Sequence, residues 1–302
     1  MQYHSNGKLM LTGEYLVLKG AKALALPTRF GQGLQVEGTS DGCIHWSSTI
    51  KNEPWFEAVF SMPVFDIHST NNSKVAQRLQ QLLLAARQLN PGFLRHSHGE
   101  NVCSNIEFNA EWGLGSSSSL VSNIAQWAAC DAFELNWQVF GGSGYDIACA
   151  RSKGPILYQL QGGNPKYEAV AFDPSFKHQL YFVWLNQKQD TRDGIAAFNR
   201  QADYETEVAQ LNKISQQMLT CTDLETYMDL MQKHEGVISK VMKIKPVQQR
   251  MFPDFPGTIK SLGAWGGDFV LAASTHSTEK VFAYFEQKLH TTIFRYADMV
   301  FS

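Results

Sequence analysis

Apolar side chains recur with changing period along this chain, and each change of period predicts an element. The first forty-odd residues hold short apolar runs at 8–12, 15–18, 23–26 and 34–37, separated by glycine-bearing turns, and predict a series of short strands. Residues 74–89 carry apolar side chains at helical spacing and stop before Asn90-Pro91-Gly92, where the proline forbids continuation. Over 101–109, Val102, Ser104, Ile106 and Phe108 alternate to one side, the signature of a half-buried strand. From Ser116 the period becomes helical: Leu120, Val121, Ile124, Ala125 and Ala128 share one face of a helix running to about Cys130. A polar turn over 140–146 and a strand over 154–160 follow.

A second set of elements begins at Leu180. It comprises a strand over 180–185, amphipathic helices over roughly 192–219 and 222–243, the breaker-rich stretch 251–257 and a loop over 262–268. A strand from Phe269, a helix over 277–289 and a final strand complete it. Strands followed by helices, without regular strand–helix alternation, predict an α+β fold over a doubly wound sheet. The length, 302 residues, exceeds what one core usually supports, so two domains are expected, 1–175 and 176–302.

Composition narrows the partners. Hydrophobic content of 44% with 12% aromatics supports a sizeable interior and excludes a disordered chain. With 26 Lys+Arg against 28 Asp+Glu and no long basic run, neither nucleic acid nor a membrane surface is an expected partner. No apolar segment is long enough to span a bilayer and the first eleven residues have no secretory apolar region, which points to a cytoplasmic protein. A small-molecule substrate is the expected partner, and the chain is expected as a monomer or homodimer. Cys43, Cys103, Cys130, Cys149 and Cys221 form no C-x-x-C pair and are expected reduced and half-buried. The His96-Ser97-His98 stretch reads as a solvated loop.

Candidate chemistry centres on Asn109–Leu120, where two glycines and four serines lie between a strand and an apolar-faced helix. Gly113 and Gly115 permit backbone angles closed to other residues and let an anion approach the main chain. Ser116 to Ser119 then offer a cap hydroxyl and first-turn N–H groups at the positive end of the helix dipole, a phosphate-binding arrangement. An ordinary serine-capped helix after a tight turn fits the same residues. No G-x-x-x-x-G-K-[ST] and no G-x-S-x-G is present. Three further stretches add weight: Asp146 just after the glycine turn 141–144, the glycine-rich loop 262–268, and Lys8 after Gly7 near a strand start. Loops that hold phosphates, a cation against developing charge and a carboxylate that orients a hydroxyl are what phosphoryl transfer needs. Singly, Lys8 reads as a surface lysine and Asp146 as a turn residue.

In this order the stretches resemble the GHMP kinases, the superfamily of galactokinase, homoserine kinase, mevalonate kinase and phosphomevalonate kinase. Residues 5–20 are similar to its first motif, with Gly7-Lys8 and Gly13-Glu14-Tyr15; 113–119 to its central nucleotide motif; 142–148 to its Ser-Gly-x-Asp segment; 263–268 to its third, glycine-rich motif. The resemblance implies a two-domain α+β fold, an N-terminal domain like ribosomal protein S5 domain 2 followed by a ferredoxin-like domain, with the active site between them. It implies ATP and Mg2+ as cofactors. Gly113, Leu114, Gly115, Ser116, Ser117 and Ser118 would wrap the ATP phosphates, and Ser117 would contact magnesium. Asp146 would take the catalytic aspartate's place and Lys8 would stand near the transferred group. Glu14, Tyr15, Ser143, Gly144, Gly263, Gly266, Gly267 and Asp268 would face the substrate. Glu134 roughly matches the family's metal-binding glutamate. Asn109 stands where a proline is usual, and Trp112 and Trp265 are bulky, Trp265 in a position to narrow the pocket. The implied activity is phosphoryl transfer to a hydroxyl or phosphate of a small anionic metabolite, with mevalonate or phosphomevalonate as the nearest guide. The alternatives are a diphosphomevalonate decarboxylase-like enzyme, a relative that keeps the aspartate but lacks the first-motif lysine and is therefore disfavoured by Lys8, and a non-catalytic nucleotide-binding relative.

Overall fold

The structure, a computed structural model, describes residues 1–95, 98–187, 198, 202–265 and 267–301. The chain forms two compact units that interleave in sequence. The first holds Met1–Gly7, Phe30–Ala110 and Leu114–Arg151; the second holds Lys8–Arg29, Glu111–Gly113 and Ser152–Ser302.

In the first unit the sheet order is β5 (Ile67–Thr70), β4 (Glu53–Ser61), β3 (Cys43–Ile50), β6 (Gly99–Ile106) and the second half of β2 (Ala23–Thr39). β3 and β6 run parallel and the other neighbours antiparallel, with Val102 opposite both Trp46 and Val36. Val102, Ser104 and Ile106 are buried, as their alternation predicts. Strands β3 to β5 went unread; in β3 one inward position is Ser48, whose hydroxyl meets Ser104 Oγ at 3.0 Å, and polarity at a core position hides the period there. Against the sheet elements stand α1 (Ser73–Leu89), α2 (Ser116–Ala128), α3 (Ala132–Val139) and α4 (Tyr145–Arg151). The Asn72 carboxamide caps α1 by accepting from Val75 N, and Leu79, Leu82, Leu83 and Ala86 form its buried stripe.

The second unit carries the first half of β2, paired with β7 (Ile156–Gln161), which in turn pairs with β8 (Asn164–Ala169). A separate antiparallel sheet has the order β10 (Thr258–Ser261), β11 (Phe269–Ala273), β9 (Leu180–Trp184), β12 (Ile293–Arg295). Its helices are α5 (Glu205–Leu219), α6 (Leu224–Met242), α7 (Val247–Met251), α8 (Thr278–Gln287) and α9 (Tyr296–Met299) among the described residues. Tyr181, Phe252, Phe255 and Phe285 pack with Ile259, Val270 and Val281 into its core. The start of the helix expected at about 192 lies outside the described residues apart from Phe198. No described helix is long and apolar enough to cross a membrane.

One expected strand is absent. Residues 15–18 form a 3-10 turn, Leu16–Lys19, because left-handed backbone at Gly13 (φ 92°), Tyr15 (φ 57°) and Gly20 (φ 85°) folds the segment tightly and buries Leu16 and Val17. The cysteines are free, but their exposure differs from the uniform half-burial expected: Cys149 is buried and Cys103 exposed.

Candidate functional site

Strand β6 leads through a short 3-10 turn (Ala110–Trp112) into Gly113-Leu114-Gly115. Gly113 and Gly115 both adopt left-handed backbone, φ 68° and 89°, and Leu114 between them is fully buried. Two residues free of a Cβ penalty thus bracket a hydrophobic anchor, and the chain enters α2 at Ser116 with its first-turn N–H groups at the positive end of the helix.

The four serines divide into two pairs. Ser116 is half-buried and Ser117 exposed, so both present polar groups at the helix start. Ser118 and Ser119 are buried; the Ser118 hydroxyl donates to Gly115 O at 2.9 Å and that of Ser119 to Gln32 Oε1 at 2.8 Å. Ser118, expected at the phosphates, can therefore offer its amide there while its hydroxyl is engaged inward. One turn on, Asn123 donates to Gln32 O at 2.8 Å, and the Ser5 hydroxyl lies 2.8 Å from both Ser122 Oγ and Asn123 Oδ1. This buried polar seam of Ser5, Gln32, Ser119, Ser122 and Asn123 fixes α2 on β1 (Gln2–Met10) and β2 within the first unit. Sequence reasoning missed it; Ser119, Ser122 and Asn123, three buried polar residues on α2, were its trace.

Asp146 lies in the first turn of α4, half-buried, after three left-handed glycines, Gly141, Gly142 and Gly144. Gly144 O accepts from Ile147 N and Ala148 N at 3.1 Å each, and the buried Ser143 sits just ahead of the helix. α4 packs on α2 within the first unit, so the Gly-Leu-Gly helix and the Asp146 helix are neighbours. Glu134 is different. It lies exposed on α3, its amide capped by Asp131, and no group of three metal-ligating side chains is found among the described residues.

The remaining candidates belong to the second unit. Lys8 is half-buried on β1. Asp268 is buried at the end of the β10–β11 loop with φ 58°, its N–H donating to Gln187 O at 2.7 Å and its carbonyl accepting from Leu185 N at 2.8 Å. A Cβ on Gly113 would meet the Asp268 carboxylate at 2.3 Å, so glycine is required there by close approach as well as by φ. Trp112, next to it, stacks edge-on against Phe269 and Phe294, at 6.1 and 5.1 Å between centroids. Gly263 has φ 66°, Gly267 is buried, and Gly266 lies outside the described residues. Trp265, whose bulk was expected to narrow a pocket, is buried, its indole N–H unpartnered among the described residues, and its carbonyl lies 3.5 Å from Arg250 Nη2.

Glu14, expected on the substrate side, is 1% exposed, and its carboxylate is committed elsewhere. Oε1 accepts a short hydrogen bond from the Lys260 ammonium, which also donates to Ser261 O at 2.7 Å. Oε2 lies 3.1 Å from His234 Nε2, itself 3.1 Å from Gly13 N. A backbone N–H can only donate, so Nε2 is the acceptor of the Gly13 bond and the ring proton sits on Nδ1. Burial and the Lys260 charge hold His234 below its ordinary range, in keeping with this neutral ring. Burial alone would push Glu14 up, but the Lys260 ammonium, which donates to it, outweighs burial and keeps the carboxylate ionised. Beside them Glu235 accepts from Ser261 N at 2.6 Å, and burial, opposed by Lys260, pushes it up to about 7. Tyr15, whose ring lies 6.0 Å from that of Phe198, is pushed up to about 12 by burial and by the charges of Glu14 and Asp268. The motif Gly13-Glu14-Tyr15 is therefore built around an internal ion pair whose partner, Lys260, the sequence reading did not identify.

No protein-family model and no curated protein matches the chain. Its fold is nevertheless shared with solved kinases. It is similar to the mevalonate kinase of Methanococcus jannaschii with a TM-score of 0.72 and 16% identity, over 97% of this chain and 96% of that one. The Streptococcus pneumoniae phosphomevalonate kinase, in complex with phosphomevalonate and AMPPNP, aligns with a TM-score of 0.70 and 15% identity, over 98% and 99%. Lactococcus lactis galactokinase complexed with galactose gives 0.66 and 12%, over 97% and 92%. The α+β GHMP-kinase fold expected from the four motifs is thus the fold of this chain.

Proposed function

We propose that the chain is an ATP-dependent phosphotransferase acting on a small anionic metabolite of the mevalonate or phosphomevalonate type, in the cytoplasm. The observation that carries this reading is the Gly113-Leu114-Gly115 loop. It has two left-handed glycines, a buried leucine anchor and an α2 start held rigidly by the Ser5–Gln32–Asn123 seam. Such a helix start binds anions without a lysine, and the fold is one in which a structural neighbour holds AMPPNP.

In this reading the amides at Gly115–Ser118 bind the triphosphate, and Ser116 and Ser117 add hydroxyls. The acceptor oxygen attacks the γ-phosphorus, the bond to the β–γ bridging oxygen breaks, and ADP leaves. Asp146 orients the acceptor and takes its proton; Lys8 offsets the charge on the transferred group. Tyr15, Ser143, Gly144, Gly263, Gly266, Gly267 and Asp268 serve the acceptor side. Glu14 serves it indirectly, through its buried pair. Magnesium fits as an ion carried on the triphosphate, since it keeps waters and needs few protein oxygens; Ser117 would supply one, while Glu134 on α3 belongs to no group of three or more His, Cys, Asp or Glu among the described residues. Bound there, the ion would neutralise phosphate charge.

The test is ADP release from magnesium-ATP across mevalonate, phosphomevalonate, homoserine and galactose, preceded by a thermal-shift assay with AMPPNP. Acceptor-dependent ADP formation is expected with an anionic member of the panel. Absence of both a thermal shift and turnover would refute the reading.

A further inference from the structure

Three chain segments meet at one buried cluster in the second unit, and the links between them are individually specific. Helix α6 contributes two consecutive residues: His234 accepts from Gly13 N in the first motif, and Glu235 accepts from Ser261 N at the end of β10. Lys260 and Glu14 then join those same two segments directly. All four side chains are 2% exposed or less.

Two of the three segments, the first motif and the end of β10, lead on to a candidate acceptor-side residue. Tyr15 follows Glu14 in left-handed backbone, a conformation costly for a non-glycine residue and kept only where the surroundings enforce it. Ser261 opens the loop that ends at Asp268, also left-handed, against which Gly113 packs. The charges of Glu14 and Asp268 both act on the Tyr15 phenol.

The geometry points to Lys260 as a positioning residue that, through Glu14, His234 and Glu235, clasps the 13–15 turn to the 261–268 loop and so sets Tyr15 and Asp268 for the phosphoryl acceptor. The acceptor part of this inference rests on the proposed kinase reading; the clasp itself does not. A lysine buried purely for stability gains little over an apolar residue of equal volume, because desolvation offsets the attraction to its partner. Here the pair is spent on joining two strained, site-forming segments.

The experiment compares the full chain with Lys260→Met, Lys260→Arg and the double variant Glu14→Gln/Lys260→Met, in which both members of the ion pair are replaced by neutral side chains. Amide hydrogen exchange is measured over 12–18 and 258–270, alongside urea midpoints and steady-state kinetics with magnesium-ATP and phosphomevalonate or mevalonate. The double variant is expected to keep a cooperative urea transition, yet to exchange about 10-fold faster or more in those two stretches and not elsewhere. In an active enzyme its KM for the acceptor rises about 10- to 100-fold while KM for ATP stays within about twofold, a loss that displacement of a site by about 1 Å can produce. Lys260→Arg recovers part of both effects. Unchanged exchange in both stretches of the folded double variant overturns the clasp, as does recovery of the acceptor KM along with stability. A wild-type chain without turnover on any acceptor counts against the kinase reading, and the exchange comparison then decides the clasp by itself.

Discussion

Replacing Glu235 by glutamine removes a titrating carboxyl from the centre of the buried cluster while keeping an oxygen for the Ser261 N–H, 2.6 Å away. Burial pushes Glu235 from an ordinary 4.5 up to about 7, against the pull of Lys260. The folded state therefore holds this proton to higher pH than the unfolded chain does. The sign follows: the associated stabilisation is fully present below about pH 4.5 and is lost as pH rises through about 7. At about 1.4 kcal/mol per pH unit the linkage amounts to roughly 2–3 kcal/mol between pH 5 and pH 8. His234 acts in the opposite direction, because burial holds it below 6.5, so its contribution is present above that pH and lost as pH falls. Glu14, held below 4.5, adds stability that is lost only under more acid conditions. Comparing variant with parent at each pH cancels both to first order. Urea denaturation at pH 5, 6, 7 and 8 is the assay, with m-values equal within error so that midpoints report free energy. The parent should lose roughly 2–3 kcal/mol relative to Glu235→Gln from pH 5 to pH 8, with the steepest change between about pH 5 and pH 6.5 and a flattening above about pH 7. A difference that stays constant across the range would mean that Glu235 is ionised throughout, and the electrostatic account of the cluster would fall.

Three further outcomes are expected. Asp146→Asn should bind AMPPNP as the parent does in a thermal-shift assay and lower kcat by about 10²- to 10⁴-fold, the usual worth of a positioned acid–base group; an unchanged rate removes Asp146 from the mechanism. Gly113→Ala forces a Cβ to 2.3 Å from the Asp268 carboxylate at φ 68°, and should cost about 1–3 kcal/mol in urea unfolding and weaken the response to AMPPNP, while Gly263→Ala, with open space around its Cβ, should cost less. Ser119→Ala leaves Gln32 Oε1 without its 2.8 Å donor and should destabilise the first unit by about 1–2 kcal/mol, read as faster exchange along α2.

What could be read from the sequence follows from how local each determinant is. The Gly113-Leu114-Gly115 entry to α2 was legible because positive φ is a property of single residues, and the glycines sit where it is needed. The α1 helix was legible because one apolar stripe and one proline define it. Gly31 misled in the opposite way. It was read with Gly33 as punctuation between two strands, yet β2 runs unbroken through both, and Gly31 is there because a Cβ would strike Ser5 O and the His4 ring at 2.5 Å. Close approach and turn formation ask for the same residue, and only the neighbouring strand tells them apart. The Glu14–Lys260 pair lay beyond reach for a related reason: its partners are 246 residues apart, and each alone resembles a surface charge. Yet Lys260 carried a trace. It occupies β10, every residue of which is buried, and a lysine at such a position demands a buried anion. That demand calls for a carboxylate in the interior, and Glu14, 1% exposed, is the residue that meets it.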